Sequence, residues 1–265
     1  YTFEWLEEII DKLRERKIQV VLATPSGGMP HWLTQKYPET LQVQADGTVN
    51  LPGKRHNFCY SSPVMRRKVK QIDRALAQRF GKKENVILWH ISNEFGGNFK
   101  DSTCHCEKCQ KKFREWLKNK YGTLDKLNAS WWTGFWSHKY TDWDQIHSPS
   151  PQGECLTTAL TLDWKRFSSE QITDFCKMEA DALREFSDLP TTTNMMGFFK
   201  GVDYNTLKNA VDIISWDNYP FWHERKDEVP EAVYTSAGNA LMRSLKREPF
   251  LLMESTPSSG VLTIR

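Results

Sequence analysis

Apolar positions along this chain follow two periods. Leu6, Ile9, Ile10 and Leu13 keep the three-to-four spacing of one helix face, and the run from Ile18 to Thr24 that follows is rich in β-branched residues and stops at "PSGG". A second helix is predicted from Ser62 and Pro63, a good N-cap and N1 pair, with Met65, Val69, Ile72, Leu76 and Phe80 on one face. It leads to a strand over Val86 to Ile91. After a long insertion the same order returns three times. A helix from about Leu160 to Phe186 precedes "PTTTNMMG", Tyr204 to Ala210 precedes "VDIISWDNYP", and Pro230 to Lys246 precedes "PFLLMEST".

Five strands are therefore expected, near Val21, Ile87, Thr192, Ile213 and Leu251, each after a helix. Continuous apolar strands alternating with helices predict a parallel sheet covered on both faces, either doubly wound or closed as a (β/α)8 TIM barrel. No Gly-rich phosphate fingerprint follows any strand, so the α/β barrel is favoured. Five strands cannot close a barrel of eight. The expectation is an incomplete barrel, with about five of the eight βα units present, two strands missing at the front and at least one at the back. The whole of 1–265 is then one partial catalytic domain, with an insertion around 98–156.

Composition narrows the partners. Lys+Arg 36 against Asp+Glu 33 gives +3 with no long block of like charge, so nucleic acid is not an expected partner. No apolar run approaches the ~20 residues that cross a bilayer, so no membrane is expected either. No signal peptide is visible at Tyr1. The 11 Trp, 8 Tyr and 14 Phe exceed what a core needs and offer flat surfaces for the C–H faces of sugars. Trp5, Trp116 and Trp164 lie at helical spacing and read as core. Trp131, Trp132, Trp136 and Trp143 crowd the insertion, where one or two are expected to stack on substrate. His31, Trp222 and His223 are weaker candidates. Asn128-Ala129-Ser130 fits a glycosylation acceptor triplet within a helix-like stretch.

Two apolar strands end on acids. "ILWHISNEFGG" carries Asn93 and Glu94, and "PFLLMESTPSSG" carries Glu254. A lone strand-end glutamate is commonly a cap or an ion-pair partner. A pair of them at matching strand ends supplies what glycosidic cleavage needs: one acid to protonate the leaving oxygen and one carboxylate on the other side of the anomeric carbon. Asn93, just before the first acid, can hold a sugar hydroxyl.

Cys104, Cys106 and Cys109 form C-x-C-x-x-C in "TCHCEKC". Three thiolates at that spacing suit one tetrahedral zinc, with Cys59 the best fourth ligand and His105 a poorer one; disulfides or free thiols are the alternatives. Four thiolates leave no open position, so such a Zn2+ would be structural. Reduced thiols around a metal point to a cytoplasmic location. Cys155 and Cys176 read as ordinary thiols, the latter on a buried helix face.

The segment "WHISNEFGG" resembles the acid/base motif of the large clan of retaining barrel glycosidases, and "LLMEST" resembles its nucleophile strand. "VVLATPSGGMPHWL", "GFWSHKYTDWDQIHSP" and "SWDNYP" are similar, in the same order, to segments of glycoside hydrolase family 42, the β-galactosidases. The resemblance covers the chain to about Ser259, and the closing "VLTIR" has no counterpart. It implies hydrolysis of terminal β-D-galactosides by double displacement, with Glu94 as general acid/base and Glu254 as nucleophile. Asn93 is implied as a hydroxyl ligand, Tyr219 as the nucleophile's partner, Trp136 as a stacking wall, and the four cysteines as a zinc site. A homotrimer is expected only of the full-length protein. Two alternatives remain: a related retaining activity such as α-L-arabinopyranosidase, and a non-catalytic carbohydrate-binding fragment. Zinc hydrolysis is disfavoured by the lack of H-E-x-x-H.

Overall fold

The computed structural model describes residues 1–97, 103–220 and 227–255. Trp222, His223 and the closing segment 261–265 lie outside the described residues.

The helices are α1 (Glu4–Glu15), α2 (His31–Lys36), α3 (Pro63–Phe80), α4 (Glu107–Tyr121), α5 (Leu124–Trp131), α6 (Thr158–Arg184), α7 (Tyr204–Leu207) and α8 (Val229–Lys246). The strands are β1 (Val20–Ala23), β2 (Val86–His90), β3 (Thr191–Met195), β4 (Ile213–Asn218) and β5 (Leu251–Ser255). They lie in sequence order, β1-β2-β3-β4-β5, each parallel to the next. Five parallel strands in this order, each reached through a helix, are a half-barrel, and this bears out the incomplete TIM barrel. The chain divides into two compact units. The first comprises Tyr1–Gly27, Lys68–Phe95 and Thr173–Arg265; the second comprises Gly28–Arg67 and Gly96–Ile172.

The sheet belongs to the first unit. β3 reads as polar, yet all five of its residues are buried. Its hydroxyls are all bonded: Thr192 Oγ1 donates to the Ile213 carbonyl and Thr193 Oγ1 to the Ile91 carbonyl, each at 2.8 Å, and Thr191 Oγ1 to the Asp212 carboxylate at 2.9 Å. Buried hydroxyls are tolerated when bonded in this way. Trp216 on β4 is fully buried, and α8 reaches it only because Gly238 stands in the helix: a Cβ there would lie 2.4 Å from the indole ring.

In α1 the sequence misleads. Trp5 is 62% exposed, not core. Each helical residue turns roughly 100°, which places Leu6, Ile10 and Leu13 on one stripe and Trp5 with Ile9 to its side, where no described residue covers them. Trp164 is core and Trp116 half-buried.

The second unit packs around Phe113, Leu117, Leu127, Trp131, Ile146, Leu160, Trp164 and Phe167, with Cys59, Cys104 and Cys109 part of the same cluster. Asn128 is held inside it. Its side chain donates to the Tyr140 carbonyl at 2.7 Å and accepts from Thr133 Oγ1 at 2.6 Å, leaving no acceptor for glycosylation. Among the described residues, no helix is long and apolar enough to cross a membrane.

Candidate active site

The first unit brings Asn93, Glu94, Tyr219 and Glu254 together at the C-terminal ends of β2, β4 and β5, the end where α/β barrels carry their chemistry. The parallel register sets Asp217 of β4 opposite Glu254 of β5. Past β2 the backbone turns sharply: Ser92 has φ +56° and Glu94 φ +42°. Left-handed backbone costs a side-chain-bearing residue about 1–2 kcal/mol, and it persists where its surroundings over-determine it.

What ties these residues together is Asn194, on β3. Its Oδ1 accepts from the Glu94 backbone N–H at 2.8 Å and faces His90 Nε2 at 2.9 Å. A backbone N–H can only donate, so Oδ1 is the acceptor and Nε2 of His90 carries its hydrogen. Burial holds His90 below the usual imidazole range, and it is neutral at pH 7. The amide's Nδ2 faces Asn93 Oδ1 at 3.0 Å, Asp217 Oδ2 at 2.7 Å and Glu254 Oε1 at 3.0 Å. One amide thus touches the acid/base candidate through its backbone and the nucleophile candidate through its carboxylate. The Tyr219 hydroxyl donates to the other oxygen of Glu254. Burial first, and the hydrogen bond to Glu254 second, push the Tyr219 phenol upward, so it remains a donor.

Asp217 is a third acid in the cluster. Burial, then the charges of Glu254 and Glu94, push it up to about 8. At neutral pH it carries its proton and adds no charge to the cluster. Glu94 itself is 8% exposed.

Neither Asn194, Asp217 nor His90 stands out in the sequence. The signal was present: "TTTN" ends a strand on an amide as "ISN" does, and "WDN" sets an acid inside a buried run. Trp136 is in the second unit, 76% exposed at φ +54°, edge-on to Phe135 with centroids 5.5 Å apart. Trp132 is also exposed, whereas Trp131 is buried. His31, at the start of α2, is exposed.

Cys59, Cys104, Cys106 and Cys109 bring their sulfurs within 4.8 Å of one another, all in the second unit. Cys59 Sγ lies 3.4 Å from that of Cys109 and 3.6 Å from that of Cys106. A disulfide requires ~2.05 Å, so these are free thiols. Four ligands at ~2.3 Å from a central zinc would sit roughly 3.8 Å apart, and the cluster fits such an ion. Cys106 is the N-cap residue of α4 and Cys109 lies in its first turn. His105 is not a ligand here, for both ring nitrogens are engaged, Nε2 with Thr103 Oγ1 at 2.9 Å and Nδ1 with Ser148 Oγ at 2.8 Å.

A half-barrel with two acids gathered on one amide at the strand ends defines a chain of the barrel glycosidase type. Comparison with known proteins agrees. The family model described as "Beta-galactosidase", glycoside hydrolase family 42, matches residues 1–263. The chain is 53% identical over 259 residues to beta-galactosidase BglY of Alicyclobacillus acidocaldarius, covering 97% of this chain and 37% of that protein. It is 47% identical to beta-galactosidase GanA of Bacillus subtilis, covering 98% and 39%. The crystal structure of the beta-galactosidase from Rahnella sp. R3 superposes with a TM-score of 0.93 at 51% identity, covering 97% of this chain and 37% of that one. The chain belongs to glycoside hydrolase family 42. It spans under two fifths of the length of these relatives.

Proposed function

We propose that 1–265 is a partial catalytic barrel domain of a retaining β-galactosidase that removes terminal non-reducing β-D-galactosyl groups. The observation that carries this reading is the Asn194 amide, which joins the Glu94 backbone to the Glu254 carboxylate at the strand ends. Glu94 donates a proton to the glycosidic oxygen while Glu254 attacks the anomeric carbon, forming a galactosyl ester; water, deprotonated by Glu94, then releases galactose. Tyr219 orients Glu254 and gives up its bond as the ester forms. Asn93 binds a sugar hydroxyl, and Trp136 is proposed as a stacking ring on its exposure and flat apolar face. A homotrimer is proposed for the full-length protein alone. In the full-length protein, kcat/KM should be higher for nitrophenyl β-D-galactoside than for nitrophenyl α-L-arabinopyranoside. The reverse order would assign the arabinopyranosidase activity, and hydrolysis of neither would assign a binding role.

Asn194→Ala removes a donor and an acceptor from the centre of the cluster. Loss of one preorganised donor at a charged centre costs on the order of 10² to 10³ in rate. A kcat/KM for nitrophenyl β-D-galactoside lowered by that factor is expected, with KM little changed; a loss under threefold would show that Asn194 only fills space.

The four cysteines are proposed to hold one structural zinc, within the insertion proposed around 98–156 with Cys59 joining from outside it; the reduced thiols favour a cytoplasmic location. When bound, the ion would cross-link the start of α4 to the segment around Cys59 and take no part in bond cleavage. Cys59→Ser should lower the zinc content from about one per chain toward zero, measured by plasma mass spectrometry, and lower the melting temperature by several degrees. Unchanged stoichiometry would remove Cys59 from the ligand set.

A further inference from the structure

Glu179 is a fully buried carboxylate that the mechanism above does not use. It lies on α6, in the part belonging to the first unit, and both its oxygens accept hydroxyl protons: Oε2 from Thr24 at 2.8 Å and Oε1 from Ser26 at 2.7 Å. Thr24 follows β1 directly, and its N–H donates to the His90 carbonyl at 2.9 Å. Its hydroxyl has one proton, which goes to Glu179, so the lone pairs on the same oxygen are left to accept. They accept the backbone N–H of Ser92 at 2.8 Å. Ser92 is the left-handed residue that begins the turn into Asn93 and Glu94, and its own hydroxyl is buried without a hydrogen bond among the described residues.

The turn therefore has two anchors. Asn194 holds the N–H of Glu94, and the relay Glu179, Thr24, Ser92 holds the turn two residues earlier. Asp73, fully buried on α3, stands beside Glu179; burial, and Glu179 as the second cause, push its carboxyl well above the usual range. Of the two, Asp73 holds its proton more tightly; burial pushes Glu179 up to about 7, and the hydrogen bonds it accepts from the hydroxyls of Ser26 and Thr24 hold it down.

We propose that Glu179 is a positioning residue for the acid/base carboxyl: by fixing the direction of the Thr24 hydroxyl it holds the Ser92 backbone turn that aims Glu94 at the leaving oxygen. The inference rests on the galactosidase reading and on Glu94 as its acid. A displaced acid harms substrates that need protonation at departure and spares those that do not. That selectivity separates positioning from mere loss of folded enzyme.

The test uses the full-length protein and two substrates, phenyl β-D-galactoside, a poor leaving group, and 2,4-dinitrophenyl β-D-galactoside, a good one. Thr24→Val, which removes the hydroxyl and keeps the shape, should lower kcat/KM on the phenyl glycoside on the order of tenfold and change the dinitrophenyl value less than threefold. Thr24→Ser should restore both. Glu179→Gln should show the same selective loss, because an amide can accept only one of the two hydroxyls. Equal losses on the two substrates, no loss, or failure of Thr24→Ser to restore the phenyl rate would overturn the inference while leaving the galactosidase reading standing. An unaltered protein that hydrolyses neither substrate would overturn that reading and the inference together.

Discussion

Replacing Glu254 by alanine in the full-length protein should lower the hydrolysis of aryl β-D-galactosides on the order of 10⁴ to 10⁶-fold, and sodium azide should restore part of it. The carboxylate is the group that bonds to the anomeric carbon, so its loss removes the first chemical step and no neighbour can replace it. Asp217, the adjacent acid across the β4/β5 register, carries its proton at neutral pH and is a poor nucleophile in that state. Azide entering the space of the lost side chain attacks from the same face as Glu254 did. Its product should be α-D-galactosyl azide. An unchanged rate, or a β-configured azide, would remove Glu254 from the role of nucleophile.

Glu94→Ala should behave differently, because proton donation matters in proportion to the leaving group. A positioned acid contributes about 10² to 10⁴-fold, and a loss of that size is expected for a phenyl galactoside. For a dinitrophenyl galactoside the first step should be nearly spared, and slow hydrolysis of the galactosyl ester should then limit turnover. Azide can attack that ester without a general base. The product here should be β-D-galactosyl azide, opposite in configuration to that from the Glu254 variant, so two product analyses assign both glutamates. Equal losses on the two leaving groups would mean that Glu94 shapes the site and does not donate the proton.

The strands were legible because each pairs an apolar run with a helix before it, and in a parallel sheet that pattern depends on burial of both faces. Even β3, with three threonines in succession, follows from the order of elements, although its burial cannot be read from hydropathy: Thr192 and Thr193 donate to backbone carbonyls and Thr191 to the Asp212 carboxylate. Glu94 and Glu254 were legible as exceptions to apolar runs. Asn194 and Asp217 leave only the faint local trace of a polar residue at a strand end, and their role comes from the register between strands about twenty or more residues apart in sequence. The Glu179 relay was hidden for the same reason, since Thr24 and Glu179 are 155 positions apart. Trp5 was misread because periodicity gives a helix stripe but not the width of what covers it. The cysteine cluster lies between these cases: the C-x-C-x-x-C spacing is local, whereas Cys59 follows only from the need for a fourth ligand to complete a tetrahedron.

The most direct measurement of the central claim is to treat the full-length protein with a 2-deoxy-2-fluoro-β-D-galactoside bearing a good leaving group and to locate the sugar by peptide mass spectrometry. The fluorine slows breakdown of the ester, so the galactosyl group accumulates on whichever residue attacked the anomeric carbon. The account predicts one equivalent of label on the peptide containing Glu254. Label on another carboxylate, or none on a protein that turns over galactosides, would contradict it.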